Sequence, residues 1–199
     1  MHRRRLLALS AFAVISTGSP AAARKAAVRT RVVTELGAIV IEVHTDVAPL
    51  TVANYLAYVD RKLLDKASVY RLVTLANQPP DTPHKIEVVQ WGLNLPDGQA
   101  SPLAPIAHES TQLTGLRHLD GTVSMARAQP GTAASEFFFC VGAQPALDFG
   151  GGRNPDGQGF AAFGRVVSGI AVVRALHSKA QAQQFLSQPI AIRSVRRTS

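Results

Sequence analysis

The sequence predicts a mainly β fold: a closed antiparallel barrel of eight strands with two flanking α-helices. Short runs rich in β-branched and aromatic residues recur along the chain, whereas only two segments show helical spacing. The runs do not alternate with helices, which argues against a doubly wound parallel sheet. The number of strands is taken from closed barrels of this size. With 46% hydrophobic and 17% charged residues, the composition is ordinarily globular and supplies enough apolar side chains for a core.

The strand-like runs are bounded by turn signals, and the first two form a hairpin around Gly37. The predicted strands are Arg29–Glu35, Ala38–His44, Ser68–Thr74, Ile86–Gln90, Gly121–Ala126, Phe137–Val141, Phe160–Val167 and Pro189–Arg196. Segments rich in proline, glycine and polar residues are predicted to be loops, and these are 76–85, 93–105 and 149–159.

Apolar residues spaced three and four apart predict the two helices. The first follows Pro49 and has Thr51 as its predicted N-cap. Its apolar residues are Val52, Tyr55, Leu56, Val59 and Leu63. The second predicted helix spans Gly169–Lys179.

Residues 1–23 are predicted to be a secretory signal peptide, and residues 24–199 the mature domain. Three arginines (Arg3, Arg4 and Arg5) precede the apolar run Leu6–Ile15, and the small residues Ala21-Ala22-Ala23 offer a cleavage site. A membrane anchor is the competing interpretation, but a spanning helix needs about 20 apolar residues and this run is about half that length. The expected location is the periplasm or the exterior, with no stable membrane insertion after cleavage.

The charge and the single cysteine exclude several function classes. The formal charge of +8 falls to +5 once the three leader arginines are subtracted, and the remaining basic residues form no stripe typical of nucleic-acid binding. Cys140 is the only cysteine, so neither an intramolecular disulfide nor a cysteine-based zinc site can form. The histidines show no metal-ligand spacing, and no cofactor is predicted.

Two predicted strands carry apolar residues on both faces. Phe137 and Phe139 share one face and Phe138 lies on the other, while Val88 shares a face with Gln90. If Phe137 and Phe139 fill the barrel, Phe138 lies outside it. The pattern leaves two interpretations open: an external groove, or a surface covered by loops or a helix.

Several blocks of the chain together resemble the cyclophilins, and the resemblance extends from about Arg29 to Val195. The central blocks are Gly121-Thr-Val-Ser-Met-Ala-Arg-Ala128, Ser135-Glu-Phe-Phe-Phe139 and Phe160-Ala-Ala-Phe-Gly-Arg-Val-Val167. Earlier blocks are Ala48-Pro-Leu-Thr-Val-Ala-Asn-Tyr55, Val69-Tyr-Arg-Leu-Val73 and Val88-Val-Gln-Trp-Gly92.

The resemblance implies a peptidyl-prolyl cis–trans isomerase, or rotamase, that assists the folding of exported proteins and needs no cofactor. It implies Arg71 as the catalytic donor. It further implies a proline pocket of Val88, Phe138, Leu147 and Phe160, a backbone contact from Gln90, and a neighbouring subsite of Ala126 and Arg127. Glu136 is counted with the substrate-binding residues and is predicted to pair with Arg71 or Arg127. Proline-containing polypeptides are the expected partners of a monomer, with no nucleic acid.

The chain departs from the family's usual residues around this site. Tyr70 stands in place of histidine before the arginine, and Glu136 in place of glutamine. The other replacements are Glu87 for Phe, Val88 for Met, Trp91 for Gly, Phe160 for His or Tyr, and Ala146 for the Trp or Phe of the rim. The loss of the rim aromatic predicts weak inhibition by cyclosporin.

These departures keep two other functions open. The first is a cyclophilin-like binding module or holdase that grips proline-containing segments with little turnover. The second is an exported interaction domain whose basic surface binds anionic envelope components, with salt-sensitive association as its mark.

Overall fold

The computed structural model describes residues 27–96 and 98–198 and shows the predicted closed barrel. The predicted signal peptide, residues 1–23, lies outside this part of the chain. Eight strands pair antiparallel around the barrel in the order β1-β2-β7-β5-β6-β4-β3-β8. Their bounds are β1 Val28–Thr34, β2 Gly37–Val43, β3 Ser68–Val73, β4 Val88–Gly92, β5 Thr122–Met125, β6 Glu136–Cys140, β7 Ala161–Ser168 and β8 Phe185–Thr198. The predicted fold class is confirmed.

Both predicted helices are present, as α1 Pro49–Asp60 and α3 Ile170–His177. A short helix that was not predicted, α2 Thr111–Thr114, lies between them, and 3-10 turns occupy Leu63–Lys66 and Pro145–Leu147. Leu63 therefore lies outside the first helix, contrary to prediction, because Lys62 takes a left-handed conformation with φ 57°. Within the described ranges no helix has both the length and the apolar character that crossing a bilayer requires.

Alternation along β4 and β6 divides the apolar residues between two clusters. Phe137 and Phe139 point into the barrel and pack against Trp91, which stacks on Phe139 at 5.5 Å between ring centroids. Phe138 and Val88 point outward into a smaller cluster. The predicted assignment of faces is correct, and both open interpretations hold in part, because loops bury Phe138 to 4% exposure while leaving a cavity beside it.

The N-terminus of α1 differs from the prediction. Ala48, not Thr51, is the N-cap residue, and it offers no side-chain cap. The carboxylate of Glu109, 58 residues away in sequence, accepts hydrogen bonds from the Thr51 N–H at 2.7 Å and the Thr51 hydroxyl at 2.6 Å. It also accepts from the Leu50 N–H at 3.1 Å. An anion at this position satisfies the free N–H groups of the first turn and favours the positive end of the helix dipole.

The last strand is longer than predicted, and its extra residues reach the candidate site. Between the pairs Val69–Ile190 and Arg71–Phe185, β3 advances two residues and β8 five. Pro189 lies in this bulge and has no N–H to give to the ladder. The bulge therefore places Phe185 directly opposite Arg71.

Candidate active site

A cavity of about 210 Å³ opens on the outer face of β3, β4 and β6. It is lined by Arg71, Ile86, Val88, Gln90, Ala126, Arg127, Phe138, Leu147, Arg153, Asn154 and Phe160. The structure thus brings together every predicted site residue except Glu136. It adds Ile86, Arg153 and Asn154, which the sequence analysis did not identify.

The registers of the barrel explain how residues far apart in sequence meet at this cavity. Arg71 on β3 is paired with Gln90 on β4, and Gln90 is paired in turn with Phe138 on β6. At one end of the row, Phe185 on β8 is paired with Arg71. At the other end, Ser124 on β5 is paired with Phe138. We call these five residues the site row. Because directly paired residues have Cβ atoms about 4.5–5.5 Å apart, the row carries a cation, an amide and an aromatic ring in contact.

The floor of the cavity is apolar, and its side chains are buried. Phe138, Leu147 and Val88 are exposed by 4%, 1% and 3%. The ring of Phe160, just ahead of β7, meets the Phe138 ring edge to face at 5.5 Å and 88°. Such a floor can take a small apolar ring but offers it no hydrogen bond.

A buried polar group supports Phe138 from behind. The His118 ring stacks on Phe138 at 5.9 Å, with its Nδ1 2.7 Å from Asp148 Oδ1 and its Nε2 3.0 Å from Ser124 Oγ. Burial by itself would raise the pKa of Asp148, but the hydrogen bonds from His118 outweigh burial and the pKa is lowered. These are the residue types of a hydrolase triad, yet Ser124 has 0% exposure and no substrate can reach it. The group therefore orders the pocket floor.

Arg71 is held by two glutamines and an aromatic ring. Its Nη1 donates to Gln90 Oε1 at 2.9 Å, and its Nε and Nη2 donate to Gln184 Oε1 at 3.1 and 2.5 Å. The guanidinium carbon lies 5.7 Å from the centre of the Phe185 ring. A guanidinium has five N–H groups, so two of them point to no partner among the described residues. The geometry fixes the plane of the guanidinium and leaves donors for a ligand.

A chain of hydrogen bonds runs from Arg71 into the protein. Gln90 Nε2 donates to the Tyr70 hydroxyl at 2.6 Å, and that hydroxyl donates to Glu136 Oε2 at 2.7 Å. Glu136 thus pairs with neither Arg71 nor Arg127 and does not line the cavity, contrary to prediction. The Asn94 N–H also donates to it, at 3.0 Å. The carboxylate lies beneath the site because Gly92, which has no Cβ, lets it approach the β4 backbone closely.

The guanidinium of Arg127 donates its hydrogen bonds to other residues of the protein. Its Nη1 and Nη2 donate to the two oxygens of Asp156 at 2.7 and 2.9 Å, and its Nε donates to the Gly159 carbonyl at 2.8 Å. The hydrogen bonds from Arg127 lower the pKa of Asp156 to about 2. Arg127 therefore shapes the cavity wall and stacks on Phe160 at 5.3 Å, but its charge is already balanced.

Two further residues that were not predicted, Gln184 and Phe185, contact Arg71, and Arg153 was missed along with them. The first two lie ahead of the predicted start of the last strand, and only the bulge at Pro189 brings them to Arg71. Arg153 lies in the glycine-rich loop 149–159, where no periodicity indicates the direction of a side chain. Phe185 and Leu186 are both apolar, so residues 184–188 show no apolar/polar alternation that could have indicated a longer strand.

The ionisation of Glu136 predicts a pH-dependent stability. Burial raises its pKa, although hydrogen bonds from Tyr70 and Ser135 act in the opposite direction. A carboxyl with a raised pKa contributes stability that is complete below its ordinary value of 4.5 and is lost as the pH rises through the raised pKa. We expect the free energy of unfolding of the wild type, relative to Glu136→Gln, to fall as the pH rises above about 4.5. Urea unfolding of both proteins measures this difference in free energy. A difference that does not change with pH would contradict the raised pKa of Glu136.

Comparisons with known proteins agree with this architecture. The family model described as "Cyclophilin type peptidyl-prolyl cis-trans isomerase/CLD" matches residues 29–197. The chain is 35% identical over 170 residues to "Peptidyl-prolyl cis-trans isomerase cyp18" of Streptomyces antibioticus, covering 82% of this chain and 94% of that protein. It is 28% identical over 203 residues to "Peptidyl-prolyl cis-trans isomerase A" of Dickeya dadantii, covering 98% of each.

A solved structure shows the same fold at low identity. It is a cyclophilin type peptidyl-prolyl cis-trans isomerase of Cryptosporidium parvum, with a TM-score of 0.69 and 17% identity. The match covers 87% of this chain and 98% of that one. With the fold shared and the family model matched over almost the whole described chain, this protein belongs to the cyclophilin-type peptidyl-prolyl cis–trans isomerases.

Proposed function

We propose that this protein accelerates rotation about X–Pro peptide bonds, with the proline ring on the floor of the cavity and Arg71 beside the rotating bond. The enzyme class predicted from the sequence is that of the family. The observation that supports the assignment of roles is the position of the Arg71 guanidinium in the same cavity as a buried apolar floor. Neither feature alone is distinctive on a protein surface. Together they match the two requirements of this reaction.

The reaction needs a hydrogen-bond donor and the exclusion of water, and no covalent step. The barrier of about 18–20 kcal/mol arises because the nitrogen lone pair is conjugated with the carbonyl. In the twisted state the prolyl nitrogen regains that lone pair and can accept a hydrogen bond. Arg71 keeps N–H groups for this purpose, and it acts more strongly on the twisted state than on the planar one because only the twisted state offers the acceptor.

Gln90 has a double role in this proposal. Its carbonyl oxygen orients Arg71, and its amide donates to Tyr70, so the side chain is fixed from both ends. One N–H of its amide remains for the peptide backbone. Ala126 and Arg127 line the same cavity, where they would contact the residue next to the proline.

The central test is the exchange of a short X–Pro peptide, followed by NMR. We expect the wild type to raise the exchange rate well above that of the uncatalysed reaction, in which one isomerisation takes tens to hundreds of seconds. Arg71→Ala should lower kcat/KM about 10²–10³-fold, the usual effect of removing one transition-state donor. Arg31→Ala, which removes an exposed arginine from β1, is the matched control and should have no effect. If the wild type binds the peptide but leaves exchange at the thermal rate, the isomerase proposal fails and the binding-module function replaces it.

Gln184 is proposed as a positioning residue that acts through Arg71. We expect Gln184→Ala to lower kcat about tenfold, the size of one hydrogen bond to a charged group, with little change in KM. Gln183→Ala is the control, because Gln183 is an exposed neighbour of the same type with no recorded bond to Arg71. Equal effects of the two variants on kcat, or a change in KM alone, would remove Gln184 from the mechanism.

We further propose that the substrates are exported polypeptides and that residues 1–23 direct the protein to the periplasm or the exterior. The basic, apolar and small-residue segments of this leader support the proposal. N-terminal sequencing of the protein recovered from the exported fraction is expected to begin within a few residues of Arg24. Recovery of the intact N-terminus in the cytoplasm would contradict it.

A further inference from the structure

Three arginines line the cavity, and they differ in how their charge is balanced. Arg127 has the carboxylate of Asp156 in a two-pronged ion pair. Arg71 and Arg153 have only neutral partners among residues 27–96 and 98–198. The cavity therefore carries two positive charges that the surrounding protein does not neutralise.

Arg153 is held across the rim of the cavity. Its backbone N–H donates to the Ala146 carbonyl at 3.0 Å. Its Nη1 donates to the His84 carbonyl at 2.9 Å and to Gln78 Oε1 at 3.1 Å. The side chain thus bridges the loop 149–159 and the loop 76–85. Gly152 permits this closure, because a Cβ at that position would lie 2.7 Å from the His84 ring.

The position of Arg153 gives it access to a bound peptide. It is half-buried, it faces the cavity, and it lies next to Ala146, a side chain too small to cover that part of the rim. Only Nη1 has recorded acceptors, so Nε and Nη2 are donors without partners among the described residues. A planar guanidinium with donors to spare is well suited to a carboxylate.

The two arginines also act on each other. Burial lowers the pKa of Arg71, and the charge of Arg153 lowers it further. Burial lowers the pKa of Arg153 as well. Both groups stay protonated at neutral pH because the ordinary pKa of a guanidinium lies far above neutrality. An anion placed between them would remove a repulsion as well as make new hydrogen bonds.

We propose that this cavity prefers X–Pro segments with an acidic side chain, Asp or Glu, directly beside the proline, and that Arg153 determines the preference. The inference deepens the proposed function by naming the substrate class. The predicted preference in binding affinity can hold even if the protein does not catalyse isomerisation. The occupant is the substrate polypeptide itself, and the acidic side chain lies within reach of Arg153 while the proline ring occupies the floor formed by Phe138 and Leu147.

The test compares short peptides that differ only in the residue before or after the proline, with Glu, Gln or Lys at each place. Dissociation constants from NMR titration and exchange rates are measured on the same samples. We expect the Glu peptide to bind about tenfold more tightly than the Gln peptide at one of the two places, the size of one charge-assisted hydrogen bond. The Lys peptide should bind more weakly than either. The preference should shrink as salt is added, because part of it acts between partly exposed charges.

Two variants assign the effect to its residue. Arg153→Gln should bring the Glu and Gln peptides to equal affinity, while Arg153→Lys should keep a reduced preference. Arg31→Gln removes the same charge from an exposed strand position away from the cavity and should leave the full preference. Circular dichroism checks that each variant is folded.

The outcomes separate this inference from the proposed function. Equal affinities for the Glu and Gln peptides in the wild type would overturn the inference, even if every peptide were isomerised rapidly. A preference that survives Arg153→Gln would overturn the role of Arg153. Tighter binding of the Glu peptide with exchange at the thermal rate would support the inference while the isomerase proposal fails.

Discussion

The candidate active site depends on the register of four neighbouring strand pairs. The site row crosses five neighbouring strands, from Phe185 through Arg71, Gln90 and Phe138 to Ser124. A shift of one residue in any strand would turn its member of the row to the opposite face. The register is secured from inside, because Trp91, Phe137 and Phe139 fill the barrel on the alternate face. Packing inside the barrel therefore determines the positions of the site-row side chains on its outer face.

The polar part of the site is ordered by hydrogen bonds that run in one direction. Arg71 donates to Gln90, Gln90 to Tyr70, and Tyr70 to Glu136. A hydroxyl can accept one hydrogen bond and donate another, which lets Tyr70 join the amide to the carboxylate. Burial and then the neighbouring carboxylate raise the pKa of Tyr70, so the hydroxyl remains a donor at neutral pH. The negative charge of Glu136 is kept below the cavity, where it forms no ion pair with Arg71.

The sequence predicted those features of the molecule that follow from local alternation. The two faces of the run 136–140 were assigned correctly because side chains alternate along any strand, and that assignment located the pocket floor around Phe138. Arg71 could be singled out only through the family resemblance, since one arginine in a strand has no distinctive pattern. The hairpin at Gly37 was also predictable, because its turn signal lies between two alternating runs.

The features that escaped prediction are contacts between distant segments. Glu109 accepts hydrogen bonds from the first turn of α1, 58 residues away in sequence, and no local sequence pattern predicts such a contact. Gln184 reaches Arg71 only through the bulge that contains Pro189, and Arg153 reaches the cavity from a loop whose course is set by Gly152 and its neighbours. The partner of Glu136 was wrongly predicted because a charge rule favoured an arginine. The structure offers it a tyrosine instead, at 2.7 Å.

The most direct test of this account is an NMR measurement of where the proline ring of a bound X–Pro peptide lies. We expect nuclear Overhauser effects between the prolyl ring protons and the rings of Phe138 and Phe160, together with a shift of the Arg71 Nε–H signal. A second cavity of about 350 Å³, lined by residues that include His44, Leu116 and Thr122, provides the alternative location. Overhauser effects to those residues, with the Phe138 and Arg71 signals unchanged, would contradict the account.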